Sequence, residues 1–413
     1  MGAAAIPGAA SVNSTSWPES VSQEPLMPPI GPSGRDLRLD LFRGLALWLI
    51  YLDHIPDNVV NWVTIRNYGF SDAAEIFVFI SGYTAAFVYG RAAHERGMIV
   101  ASARVWRRAW QVYVAHVFIF VIFMAEVSYL TTAVIENPLY SEEMRVFDFL
   151  QQPGEALVQA LLLKFQPNFM DVLPLYIVLL LAFPIVLRLL LFRPTLALIL
   201  STALYLAAKL FNWNLPAYPT SFWFFNPLTW QFIFVVGAWC SVGASPRVHE
   251  LLRSRAAVRL AIAYLALAFL VALTWYIPRA AALIPHLVQD WMYPIDKNNL
   301  DILRFLHFAA LAIVTVRFVP IDWPGLKSPW LRPMILCGQH SLEIFCLGIF
   351  LSFIGYFVTS EISRSVAMQI LISVLGICAM IAVAWLITWY HSIEGRGSGK
   401  GPRPQADLAG GEA

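Results

Sequence analysis

The sequence predicts an all-α protein, a polytopic integral membrane helical bundle of about ten transmembrane helices with both termini cytoplasmic. Three observations predict it: the composition, the spacing of the apolar runs and the distribution of positive charge. Of 413 residues, 59% are hydrophobic and 13% charged, with a mean hydropathy of +0.64, whereas soluble domains carry about 25% charged residues. Runs of about 20 apolar residues, the length that crosses a bilayer, recur at residues 38–56, 72–90, 110–132, 172–192, 195–211, 228–245, 257–276, 303–320, 336–358 and 366–391. With both termini in the cytoplasm, 20 of the 28 Lys and Arg fall in inward segments and 8 in outward ones. That bias follows the positive-inside rule, and an odd number of spans would spoil it. A net charge of +2 without a Lys/Arg run offers no surface for nucleic acid. The four cysteines lie in or beside apolar segments without metal or redox spacing, so they read as packing residues and no metal site is expected.

Taken in order, residues 1–34 are rich in Pro, Gly, Ala and Ser and lack Lys and Arg. They read as a disordered tail rather than a secretory signal. Residues 35–393 form the membrane domain, and 394–413 a second disordered tail. The first span carries RGLALWLIYLDH, residues 43–54. Eleven residues of α-helix rise about 16 Å and turn almost three times, so Arg43 and His54 share a face at different depths. Ionisable groups inside a bilayer cost roughly 2.5–3.5 kcal/mol each and are functional by default, the alternative being snorkelling at the two interfaces. Asp40 is placed to pair with Arg43, and Pro56 to end the helix. Asp53 adjoins His54 but points about 100° away on a regular helix.

The second span opens SDAAEIFVFISG, residues 71–82. Asp72 and Glu75 have capping-box spacing, yet they start on the side where the first span ends, so either carboxylate can also orient the His54 ring and leave its other nitrogen as a base. Ser81 and Gly82 suit close helix packing. Residues 91–108 read as a basic loop attractive to an anionic cofactor through Arg107 and Arg108, a pattern that topology alone also produces. NFMDVLPLY places Asn168 and Asp171 before the fourth span, where they either bind an acceptor or cap the helix. NPLTWQ puts Trp230 and Gln231 in the sixth span as interfacial anchors or acceptor contacts, and GQHSLEIF carries Gln339, His340 and Glu343 into the ninth. The outward connections hold carboxylates (Glu136, Glu142, Glu143, Asp290) and the aromatics Trp213, Tyr218, Phe222, Trp223, Phe224 and Phe225. Such groups suit carbohydrate, or form the ordinary interfacial belt.

On RLDLFRG, DHIP, SDAAEIFVFISG, DVLPLY, NPLTWQ and GQHSLEIF in that order, the chain from about residue 35 to 390 resembles the OpgC family of membrane glucan succinyltransferases, within the acyltransferase-3 superfamily of integral-membrane acyltransferases. The resemblance implies a multi-pass enzyme of the bacterial inner membrane that moves an acyl group, succinyl in that family, from cytoplasmic acyl-CoA to an osmoregulated periplasmic glucan. The family's arginine and histidine map onto Arg43 and His54. The resulting expectations are His54, Glu75 and Asp72 as catalytic residues, and Arg43, Arg107, Arg108 and His340 as donor-binding residues. Asp53, Asn168, Asp171, Trp230 and Gln231 are the candidate acceptor contacts. Nothing is expected to be tightly bound, with acyl-CoA, most simply succinyl-CoA, as co-substrate. Direct attack of the sugar hydroxyl and an acyl-histidine intermediate both remain open. The rival class is a transporter or flippase in which His54 and Glu75 relay protons and Arg43 binds an anionic cargo, for which paired broken helices in two symmetric halves would be the signature.

Overall fold

The computed structural model describes residues 36–129, 147–244, 250–277, 279 and 292–397. Both tails beyond these residues, together with Glu136, Glu142, Glu143, His286, Asp290 and Trp291, lie outside them. The protein is a multi-pass helical membrane protein, with helices at each of the ten apolar segments. Among the described residues, six helices are long and apolar enough to cross a membrane.

Helix α1 (Leu37–Asp53) starts at Asp36, whose side chain accepts from the Arg38 backbone N–H at 3.0 Å and pairs with the Arg38 guanidinium at 2.7 Å. The helix ends at Asp53, and His54 is its C-cap. Two short 3₁₀ turns, Val59–Val63 and Ile65–Asn67, lead to α2 (Ala73–Arg96). Here the capping box is formed: Asp72 Oδ1 accepts from Ala74 N at 2.8 Å, and Glu75 Oε2 accepts from Asp72 N at 2.9 Å. Gly97, at φ +86°, is the sole residue between α2 and α3 (Met98–Tyr129). The expected basic loop at 91–108 is therefore two helices joined at one residue. Its sequence is dominated by good helix formers and contains one glycine able to take the left-handed conformation, so Arg107 and Arg108 stand on α3.

Two short helices, α4 (Phe147–Gln151) and α5 (Pro153–Leu161), precede α6 (Val172–Phe192). Arg193 alone separates α6 from α7 (Pro194–Leu210), with proline at the first helical position. Strands β1 (Pro216–Ala217) and β2 (Ser221–Phe222) then form a small antiparallel hairpin, which no alternation in the sequence announced. The bundle continues with α8 (Pro227–Val242), α9 (Arg255–Tyr276) and α10 (Ile302–Phe318). The ninth predicted span is broken at His340 into α11 (Arg332–Gln339) and α12 (Ser341–Phe357), and α13 runs Val366–Gly397, past the expected start of the tail at 394.

Surface chemistry identifies the solvent of the outer helices. Helix α9 buries only Ala261, Ala268 and Ala272 while Leu260, Leu267 and Leu270 are exposed, and α13 exposes Ile370, Val374, Trp385 and Leu386. A helix apolar on its outward face suits lipid.

Close backbone contacts hold the interior together. A Cβ on Gly338 would overlap the Asp40 carbonyl, and one on Gly44 the Met334 carbonyl, so α1 and α11 touch main chain to main chain. Gly82 and Gly237 do the same for α2 and α8, the packing expected of Gly82. Gly338→Val is expected to push α1 off α11 and to cost more than the roughly 1–3 kcal/mol of ordinary overpacking, because the atom met is backbone. The check is the yield of monodisperse protein in size-exclusion chromatography, where a wild-type profile would contradict the close packing.

Candidate functional site

At one end of the bundle, connections from distant parts of the chain meet. Val59 N donates to Gln369 Oε1 at 2.7 Å, Asn226 N to Asn298 O at 3.0 Å, and Tyr218 N to Lys164 O at 2.9 Å. His54 enters this end from α1. Its ring lies 4.5 Å, centroid to centroid, from Phe169 at 34°. Phe169 sits at φ +71° in the loop before α6, so the NFMD segment comes to His54 through its phenylalanine. Nδ1 of His54 is enclosed and, among the described residues, has no hydrogen-bond partner. The charged side chains near the ring are Lys297, Asp72 and Arg66.

The expected carboxylate support of His54 is not what the structure shows. Glu75 is fully buried; its Oε1 accepts from Arg304 Nε at 2.8 Å and its Oε2 from the Asp72 N–H. Asp72 Oδ2 takes Lys297 Nζ at 2.7 Å and an Arg304 nitrogen at 3.1 Å, while Oδ1 caps α2. Both carboxylates are thus occupied by cations and by the helix cap, and neither bonds His54. The reason lies in burial. An anion pair this enclosed requires partners of opposite charge, and Arg304, 8% exposed on α10, supplies them. Asp53 faces Arg66 at 3.9 Å, with Arg66 also donating to the Asp53 carbonyl at 3.4 Å.

Lys297 is placed by a built loop. Asp296 accepts from Asn298 N at 2.8 Å and Asn299 Nδ2 at 2.7 Å, and Asn226 Nδ2 donates to Asn299 Oδ1 at 2.8 Å. Trp230 Nε1 donates to the carbonyls of Lys297 at 3.1 Å and Asn298 at 3.2 Å. Trp230 is 0% exposed, so it is neither an interfacial anchor nor an acceptor contact. It positions the loop that carries Lys297. Gln231 points elsewhere, exchanging bonds with Ser201 on α7 at 2.7 and 2.9 Å. Both residues were expected against substrate, but a helix start buried by its neighbours turns its polar atoms into packing links. The aromatic stretch 213–225 divides likewise: Trp223 and Phe225 are core, Phe222 and Trp213 are exposed, and Lys297 lies 5.5 Å from the Phe225 ring.

Asn168 and Asp171 flank Phe169 and are half-buried beside the His54 end; the Asp171 side chain does not cap α6. The candidate donor residues are distributed over several helices. Arg43 donates to Thr84 Oγ1 on α2 at 2.8 Å, His340 Nε2 is 2.8 Å from Thr388 Oγ1 on α13, Arg108 reaches Gln111 on its own helix at 3.3 Å, and Arg107 is exposed. Two cavities, of about 290 and 470 Å³, open at the His54 end and share Arg66 in their walls; neither is lined by Arg43 or His54. Among the described residues, no group of three or more His, Cys, Asp or Glu is gathered to hold a metal ion.

Lys297, Arg304, Arg66 and Phe169 are the members of this end that the motif reading missed. DKNNLDILR carried a signal, two cations at the mouth of an apolar helix, but nothing local to the sequence says that Lys297 faces Asp72, or that Arg304 faces Glu75 and Asp72 across 229 and 232 residues.

The fold and this cluster define a multi-pass helical membrane protein whose ionisable chemistry is assembled at one end of the bundle. Within that class the chain belongs to the OpgC family: the family model described as OpgC protein matches residues 35–392. No curated protein and no solved structure matches the chain.

Proposed function

We propose that the protein is a membrane O-acyltransferase that moves an acyl group, succinyl by preference, from cytoplasmic acyl-CoA to a hydroxyl of a periplasmic glucan. In this reading the chain crosses the bacterial inner membrane ten times, with both termini inside, Arg43 towards the cytoplasm and His54 towards the periplasm. Membership of the OpgC family supports the acyltransferase class. The observation that carries the site is the unpaired, enclosed Nδ1 of His54. A ring nitrogen that no side chain of the fold engages is left to carry a proton.

The chemistry needs a base, a polarised carbonyl and an oriented acceptor. His54 takes the proton of the sugar hydroxyl as its oxygen attacks the thioester carbon; the C–S bond then breaks, and the imidazolium returns the proton to the departing thiolate. Lys297 is the cation held to face charge developing beside the ring. Asp72 and Glu75 act through it, one as its ion-pair partner and the other through the cap and Arg304. Asp53, Asn168 and Asp171 are the polar side chains beside His54 for the acceptor. Arg43 meets the CoA phosphates or the succinyl carboxylate, both of which suit a guanidinium fork.

Purified protein given succinyl-CoA, radiolabelled in the succinyl group, and a soluble glucan is expected to place alkali-labile label on sugar. If no acyl-CoA is consumed and no label reaches the glucan, the proposal fails. Arg43→Ala is expected to raise the KM for the donor about tenfold or more, from the loss of a charge-assisted contact, with a smaller change in the KM for the acceptor. Equal donor KM values for variant and wild type would remove Arg43 from donor binding.

A further inference from the structure

We infer that the larger cavity at the His54 end is a saccharide-holding subsite in which the Trp62 indole stacks on a pyranose ring and side-chain amides take its hydroxyls. The cavity, about 470 Å³, lies between the connection from α1 to α2 and the start of α13, and is lined by Asp57, Asn61, Trp62, Arg66, Asn67 and Gln369 among others. Its volume is in the range of small-molecule sites. The inference rests on the acyltransferase reading for the direction in which the saccharide is used, and on the cavity's own chemistry for the fact of binding.

Three features favour a neutral saccharide. Trp62 is 47% exposed yet braced, its ring 4.5 Å from that of Tyr276 at 54°. A large flat ring held at the edge of a polar cavity offers the apolar face that sugar C–H groups cover. The amides are positioned in advance: Tyr276 OH donates to Asn67 Oδ1 at 2.8 Å, Asn67 Nδ2 donates to Asn61 O at 2.7 Å, and Gln369 is fixed by Val59 N at 2.7 Å and Arg364 O at 3.0 Å. Fixed amides recognise hydroxyls at little cost in side-chain entropy. Gln369 keeps a second lone pair and a second N–H, and Asn67 a second lone pair, for a hydroxyl; an acyl chain of a lipid would use neither, which separates this cavity from an interfacial aromatic belt.

Charge argues against an anion as the occupant. Asp57 stands in the wall, and Arg66, the one cation among its described residues, is already turned to Asp53 at 3.9 Å. That same arginine joins the cavity to the site, because Asp53 precedes His54 in the chain. A saccharide seated on Trp62 therefore extends past Arg66 towards the imidazole.

The test separates binding from transfer. Full-length protein in lipid nanodiscs, without acyl-CoA, is equilibrated by dialysis against radiolabelled gluco-oligosaccharides, one set α-linked and one β-linked. Wild type is expected to bind one set saturably. Trp62→Ala is expected to weaken that binding about tenfold, and Trp62→Phe, which keeps a stacking ring, to recover most of it. In the transfer assay the acceptor KM of Trp62→Ala rises to match, while the donor KM stays at the wild-type value. Absence of binding to wild type, or equal binding by Trp62→Ala, overturns the subsite. Saturable, Trp62-dependent binding by a protein that transfers nothing sinks the acyltransferase reading and leaves the subsite standing; transfer with an unchanged acceptor KM in Trp62→Ala does the reverse.

Discussion

His54→Ala is expected to abolish acyl transfer, lowering kcat/KM at least about a hundredfold, the lower range for loss of a general base, while the protein still purifies as a monodisperse species. The expectation has two parts. The bond by which His54 holds the fold is its backbone N–H to Ile50 O at 3.0 Å, which alanine keeps; the ring stacks on Phe169 at 4.5 Å and, among the described residues, leaves Nδ1 unpaired. Removing the ring takes away one aromatic contact, which stability tolerates, and the imidazole near Asp72 and Lys297, which the proposed chemistry does not. The measurement is label transferred from succinyl-CoA to glucan at saturating donor, with thermal unfolding run alongside. Wild-type turnover in the variant would remove His54 from the mechanism. A direct transfer and an acyl-histidine route both lose activity; label trapped on the wild-type protein without acceptor would single out the second.

Arg304→Met is expected to destabilise the protein by about 3–5 kcal/mol, the cost of leaving a buried charge without its partner. Arg304 is 8% exposed and Glu75 0%. Their nitrogen and oxygen atoms come within 2.7 Å, and among the described residues no other cation pairs with Glu75, whereas Asp72 retains Lys297 at 2.7 Å. The second variant identifies the cause. Adding Glu75→Gln to Arg304→Met removes the orphaned charge, so the double variant is expected to recover much of the loss, since an ion pair replaced on both sides is often nearly neutral. Thermal unfolding of the detergent-solubilised proteins gives both numbers. Should Arg304→Met melt with the wild type, the network is not what anchors α10 to the start of α2.

The fold and site were legible to different degrees, for physical reasons that particular residues show. Apolar length locates helices because lipid leaves the backbone no other way to satisfy itself, so a helix was found at every segment foreseen. Capping is a local matter of three or four residues, and Asp72 with Glu75 formed the box their spacing announced. The break at His340 was not legible, because Gln339, His340 and Ser341 carry no proline or glycine at the break. Nor was the helical character of 91–108, where charge density masked good helix propensity. Trp230 read as an amphipathic ring at an interface, yet it is enclosed because the loop carrying Lys297, 67 residues away, folds over it.

From its sequence alone this protein is a helical membrane chain with Arg43 and His54 on one face of its first helix and a capping box opening its second. Those features depend on periodicity, hydropathy and contacts within one or two turns, all of which the order of residues dictates. Which groups surround the histidine was decided by tertiary structure alone. Glu75 turned to Arg304 rather than to His54, and Phe169 and Lys297 arrived from loops more than a hundred residues away, because a buried charge takes whatever partner the packing of distant helices brings within reach.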